Sequence, residues 1–139
     1  MTLLEKSETL LRALLGPSRA DVQPLACAVA LTAERLYLQK QPLREFSIYK
    51  DVYYDASKKL FQKHTTTAKS VERLAKRCWD AFAAQGCTEQ YVGRAGEPPA
   101  NARTTVIYLA TYVFFDRPYY QLLADSPELL PVGCSSHPP

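Results

Sequence analysis

The spacing of apolar residues predicts helices along most of the chain. Apolar positions recur at steps of three and four, and no convincing alternation of apolar and polar residues suggests a strand. Gly16-Pro17 ends a first helix of about residues 4–15, and Pro42 follows a second helix of about residues 22–39. We therefore predict an all-α fold, a compact bundle of about five to six helices.

The centre of the chain predicts two helices joined by a short turn. A third helix begins at Leu43 or Ser47 and continues to His64, with apolar residues every four positions. Residues 65–67 are three threonines, and a threonine hydroxyl at an N-cap satisfies a backbone N–H that has no helical partner. We read them as turn plus cap, followed by a helix at 68–85. Its predicted buried stripe is Val71, Leu74, Ala75, Cys78 and Phe82, with Trp79 at the border and Gly86 as the stop.

The C-terminal part predicts one more long helix and then loss of order. Residues 87–101 are irregular, and residues 102–115 are strongly apolar. Residues 124–139 are rich in proline and serine, which predicts a disordered tail after a single domain at 1–123. The aromatic cluster Phe114, Phe115, Tyr119 and Tyr120 has two readings, core with its apolar flank or a partner-binding patch.

Length and composition are typical of one globular domain. The chain has 139 residues, of which 47% are hydrophobic and 22% charged. No run of eighteen apolar residues is present, and charged residues interrupt the apolar N-terminus, so neither a spanning helix nor a signal peptide is expected. These features lead us to expect a cytoplasmic protein with no membrane partner.

The chemistry-bearing residues do not suggest an enzyme or a metal site. The four cysteines lack C-x-x-C spacing, and Cys27 and Cys78 fit buried small apolar positions. A nucleophile would have only His64 as a partner in the ordered chain, and no phosphate-binding loop is present. We expect no catalytic activity, no metal and no cofactor.

Charge is concentrated in one segment. The formal net charge is +3, but residues 50–77 hold eight basic and three acidic residues, a local net charge of +5 against −2 for the remainder. Such a segment fits a phosphate-binding face, although a solvated helical face would look similar. Two helices joined by a short turn also fit a helix-turn-helix, which makes double-stranded DNA a candidate partner, although short turns between helices are common in other proteins as well.

The residues of this region resemble a known DNA-binding domain. Ser47-Ile48-Tyr49-Lys50, Tyr53, Asp55, Lys58 and Lys59, and then Thr66-Thr67-Ala68 and Val71-Glu72-Arg73, are similar to the C-terminal DNA-binding effector domain of the sporulation master response regulator family of endospore-forming Firmicutes. The similarity extends over about residues 10–113. About four extra residues, 61–64, separate the two halves and would lengthen the first helix by about one turn.

The resemblance implies a DNA-binding regulator of transcription with the 68–85 helix in the major groove. The predicted base contacts are Lys69, Ser70, Glu72, Arg73 and Lys76, and the predicted phosphate contacts are Lys58, Lys59, Lys63, Thr66, Thr67 and Arg77. Ser70 replaces an arginine of the family pattern, and Lys76-Arg77 replaces Arg-His. The family's receiver domain is not expected here. Further implied partners are a second copy on tandem DNA sites and a protein of the transcription machinery or another regulator.

A second hypothesis is a protein interaction module that keeps the fold without specific DNA binding. In this alternative Tyr119 and Tyr120 are exposed and contribute the affinity, whereas Arg73 does not. The change at Ser70 and the extra residues between the two halves favour it.

Overall fold

The chain folds as an all-α protein in the computed structural model, which describes residues 1–16 and 21–139. The described residues contain no strand. Pro17, part of the predicted first stop, lies outside them. The seven α-helices are α1 Leu3–Leu15, α2 Gln23–Ala33, α3 Tyr54–Leu60, α4 His64–Gln85, α5 Thr88–Val92, α6 Ala102–Phe115 and α7 Tyr119–Asp125.

Short helical segments of other kinds extend or connect these helices. A π-helical segment, Glu34–Leu38, continues α2, and another, Ile48–Tyr53, leads directly into α3. Single 3-10 turns lie at Leu43–Glu45 and Pro127–Leu129. The structure thus confirms the predicted fold class and the bounds of the first, second and last long helices.

The core is built around α2 and α6. Both helices are apolar on almost every side, and α2 contacts α1, α4 and α6. A helix that is apolar all round has to be covered by other helices, which explains the central position of these two. The amphipathic α4 packs its apolar side on this centre. The predicted stripe of α4 is buried as expected, and so are Cys27 and Trp79.

The start of α4 differs from the prediction. The helix begins at His64, four residues earlier than expected, and the threonines lie in its first turn. Thr67 is fully buried, and its hydroxyl donates a hydrogen bond to the side-chain oxygen of Gln62 at 3.1 Å. The reading of residues 65–67 as turn plus cap is therefore wrong, because burial of Thr67 stabilises a helical conformation that threonine by itself does not favour.

The turn consists of residues 61–63. Phe61 has a left-handed backbone with φ 55°, and its N–H donates to the carbonyl of Lys58 while the N–H of Gln62 donates to that of Ser57. This is the hydrogen-bond pattern of a Schellman motif, which ends helices. The extra residues therefore form a turn and start the next helix. The expectation that they lengthen the first helix is wrong.

The expected disordered tail is folded onto the domain. Residues 119–125 form α7, and Leu130 is buried. The N–H of Leu43 donates to the carbonyl of Val132 at 2.9 Å. The division into a domain at 1–123 and a disordered tail is wrong, because side chains distant in sequence supply contacts that the composition of the tail does not reveal.

Candidate nucleic-acid interface

Polar and aromatic contacts join the helical segment 48–60 to α4. The hydroxyl of Tyr49 donates to the Glu72 carboxylate at 3.3 Å. Near the turn, the ring of Tyr54 stacks on the ring of His64 with centroids 5.1 Å apart. These contacts fix the first half of α4 relative to the preceding helix, so the residues on its outer side form a defined surface.

Three basic side chains share the outer side of α4. Lys69, Arg73 and Lys76 are spaced by four and three residues, which places them on one face of the helix. All three are exposed, and none forms a salt bridge within the described part of the chain. Lys69 and Arg73 are like charges one turn apart and repel each other by about 0.2–0.5 kcal/mol. A bound anion would relieve this repulsion. We call these three residues the basic face.

Glu72 and Ser70 lie at the edges of this face and not within it. Residues two positions apart in an α-helix are separated by about 200° around its axis. The side chains of Ser70 and Glu72 therefore point in nearly opposite directions. Glu72 faces Tyr49, and its negative charge is the main cause that raises the pKa of the Tyr49 hydroxyl. The phenol is thus kept protonated as a donor. Ser70 is half-buried on the other edge.

More basic residues surround the turn that precedes α4. Lys58, Lys59 and Lys63 are exposed, as is Thr66 in the first turn of the helix. No side chain caps the N-terminus of α4, so its first backbone N–H groups lack a protein partner of the usual kind. Free N–H groups together with nearby lysines are a favourable environment for a phosphate group.

Two of the predicted phosphate contacts, Thr67 and Arg77, are less exposed than the residues around the turn. Thr67 is fully buried, so its assignment as a phosphate contact is wrong. Arg77 is half-buried on α4. The structure therefore places Lys58, Lys59, Lys63 and Thr66 near the turn and Lys69, Arg73 and Lys76 along the helix.

Phe61 was missed by the sequence analysis. Its side chain is 96% exposed at the tip of the turn, between the lysines. An exposed phenylalanine in a left-handed conformation gains no burial and carries backbone strain. The neighbouring Lys58-Lys59 and Lys63 were the only signal in the sequence, and they indicate exposure of the segment but not its backbone conformation.

A groove beside α4 was also missed. It has a volume of about 790 Å3 and lies between the start of the helical segment 48–60, α4 and the loop before α6. Its aromatic and proline walls include Phe46, Tyr49, Tyr53, Trp79, Pro98 and Pro99. The loop residues are distant from α4 in sequence, so no local pattern could have indicated the groove.

Residues 1–16 and 21–139 contain neither a cluster of metal-ligating side chains nor a membrane-spanning helix. No three or more His, Cys, Asp or Glu side chains there are grouped as a metal would require. No helix in that part of the chain combines the length and apolar character needed to cross a membrane. Burial raises the pKa of the Cys78 thiol to about 12, so this cysteine is an inert member of the core at neutral pH.

Comparison of the chain with models of protein families, with curated proteins and with solved structures gives no match. The resemblance to the effector domain of the sporulation regulators therefore stays a prediction from the residues quoted above. What the chain does has to be argued from its own surface.

Proposed function

We propose that the chain is a sequence-specific DNA-binding protein that regulates transcription, with α4 in the major groove. The observation that supports this most directly is the basic face of Lys69, Arg73 and Lys76, which is exposed and forms no salt bridge within the described residues, on a helix of 22 residues. A helix of that size fits the major groove, where arginine and lysine donate to guanine.

The surroundings of the turn support the same proposal. Lys58, Lys59, Lys63 and the uncapped N-terminus of α4 suit contacts to the DNA backbone on the side where a recognition helix enters the groove. In this arrangement the helical segment 48–60 and α4 act as the two helices of a helix-turn-helix. A protein of this kind works in the cytoplasm of a bacterium, in contact with the chromosome.

The residues of the proposed interface have different roles. Arg73 lies at the centre of the basic face and donates to guanine O6 and N7, while Lys69 and Lys76 flank it. Glu72 is directed toward Tyr49, so its contribution is to hold α4 on the preceding helix and to accept from a base only at the edge of the groove. Ser70 and Arg77 lie outside the central contacts.

The interaction module in its original form has less support. Tyr119 is fully buried, and Tyr120 is half-buried with its hydroxyl 2.8 Å from that of Tyr108. These tyrosines do not form an exposed patch. An interaction module on this fold would have to use another surface.

The test is selection of binding sites from random duplex DNA at two salt concentrations, with Arg73→Ala in parallel. We expect a short motif to be enriched, and its loss in the variant should correspond to about 1–3 kcal/mol at one base position. Arg12→Ala is the matched control, because Arg12 is an exposed arginine of α1. Retention of DNA without any motif, steeply dependent on salt, would reduce the basic face to a nonspecific electrostatic surface.

A further inference from the structure

Residues 135–139, Ser-Ser-His-Pro-Pro, are bound to the domain through their backbone carbonyl groups. The hydroxyl of Tyr119 donates to the carbonyl of Ser135 at 3.3 Å, and a guanidinium N–H of Arg94 donates to that of Ser136 at 3.1 Å. The hydroxyl of Thr104 donates to the carbonyl of Pro139 at 2.9 Å. Three side chains from separate parts of the fold therefore recognise the main chain of one short segment.

The three donors are held in position by the rest of the domain. The Arg94 guanidinium lies 3.7 Å above the centre of the Tyr120 ring, and the Tyr120 hydroxyl is paired with that of Tyr108. Tyr119 and Thr104 are buried in α7 and α6. The contacts between Arg94, Tyr120 and Tyr108 do not involve residues 135–139, so the Arg94 donor is preorganised, which lowers the entropy lost when a peptide binds.

The groove that holds the segment has the chemistry of a site for proline-rich peptides. Pro138 and Pro139 line a space of about 390 Å3 together with Trp79, Tyr108 and Tyr120. Proline has no N–H, so a proline-rich segment presents carbonyl acceptors and apolar rings, which suit side-chain donors and aromatic walls. We propose that this groove binds proline-rich segments of a partner protein and that residues 135–139 occupy it within the chain.

A partner peptide has room beyond the part that the chain itself occupies. The groove of about 790 Å3 beside α4 shares Trp79, Pro98 and Pro99 with the space under residues 138–139. The two spaces are thus adjacent along the same aromatic and proline walls. A longer proline-rich segment would continue from one into the other, toward Lys76 of α4. This proposal does not depend on DNA binding.

The occupant within the chain should lower the apparent affinity for an added peptide. If residues 135–139 fill the groove nine-tenths of the time, the apparent affinity falls by about tenfold. Replacing Pro138 and Pro139 by glycine in the full chain should release the segment, because glycine removes the apolar rings and adds backbone freedom. The rest of the domain is unchanged in this variant.

The experiment measures binding of the synthetic peptide SSHPP to the full chain and to Pro138→Gly/Pro139→Gly, by calorimetry and by fluorescence. The chain has one tryptophan, and Trp79 lines the groove, so its emission reports occupancy. We expect about tenfold tighter binding to the variant. Adding Arg94→Ala should weaken binding again, whereas Arg117→Ala, a matched arginine paired with Asp125, should not.

Three results would contradict the proposal. Equal affinity of the peptide for the unchanged chain and the released variant would overturn the proposal, as would equal affinity for a peptide SSHAA. An Arg94→Ala change without effect in the released variant would show that the groove is not the site. Circular dichroism of each variant establishes that the fold is retained.

Discussion

Two surfaces of the molecule differ in whether their polar groups already have partners within the chain. The basic surface consists of the basic face of α4 and the lysines around the turn before it. The aromatic groove is the space lined by Trp79, Tyr108 and Tyr120 beside residues 138–139. In the first region the cations of Lys69, Arg73 and Lys76 form no salt bridge among the described residues. In the second region Tyr108 and Tyr120 are paired with each other, and Arg94 is bonded to the chain's own residue 136.

This difference determines how each surface would bind a partner. The basic surface gains interactions as soon as an anion approaches, so its binding should depend mainly on salt. The aromatic groove already has an occupant, so a partner has to displace that segment first, and its binding should depend on the tail. The basic residues thus lack a salt bridge among the described residues, whereas residues 135–139 already contact the aromatic groove.

The largest expected effect is the response of four buried tyrosines, two of them in α6 and α7, to alkaline pH. Burial is the main cause that raises the pKa of Tyr37, Tyr53, Tyr108 and Tyr119. Their stabilising contribution is complete below about pH 10, where the unfolded chain also keeps its tyrosines protonated, and it is lost at higher pH. Each such tyrosine contributes a slope of up to about 1.4 kcal/mol per pH unit, measurable by urea unfolding at about pH 8 and about pH 11.

A single substitution checks this explanation. Tyr108→Phe removes one ionisable group from the buried set and should flatten the alkaline loss of stability. An unchanged slope in the variant would show that other groups cause the loss.

The second effect contrasts truncations in the two regions. Tyr119→Ala should lower the free energy of unfolding by about 3–5 kcal/mol, because the ring is completely buried. Arg73→Ala should change the free energy of unfolding by less than about 0.5 kcal/mol, because its side chain is exposed. Chemical denaturation measures both values. A large loss of stability in Arg73→Ala would contradict the view that the basic face is maintained for a partner.

The third effect concerns the strained turn within the basic surface. Phe61→Gly should raise the free energy of unfolding by about 0.5–1 kcal/mol, because glycine adopts the left-handed conformation without a steric cost. Phe61→Ala is the matched control, since it removes the exposed ring but keeps the strained Cβ. Equal stability of the glycine and alanine variants would mean that the turn holds no strain.

The smallest expected effect is the contribution of one lysine to the affinity for DNA. Lys63→Ala should weaken all DNA sequences alike and reduce the slope of log affinity against log salt by about one, because one phosphate contact is lost. Titrations of a selected site and of unrelated DNA at several salt concentrations measure it. A loss confined to the selected site would instead assign Lys63 to base recognition.

Much of the helical framework was predictable because its signals are local. The stripe from Val71 to Phe82 follows from helical spacing, and Gly86 ends α4 with a left-handed backbone, as its lack of a side chain allows. The exposed basic face was predictable for the same reason, since residues opposite a buried stripe face solvent. The described residues form seven α-helices in place of the five to six expected, because α5 and α7 are too short to show a clear period.

The all-α fold, the buried side of α4 and the basic residues opposite to it could be read from residue spacing, because spacing along one helix decides which residues share a face. The start of α4 could not be read in this way, since it depends on the burial of Thr67 against its neighbours. The conformation of the tail could not be read in this way either. Its hydrogen bonds from Arg94 and Thr104 span 42 and 35 residues of sequence. Contacts over such distances follow from how the helices pack, which no local pattern of residues encodes.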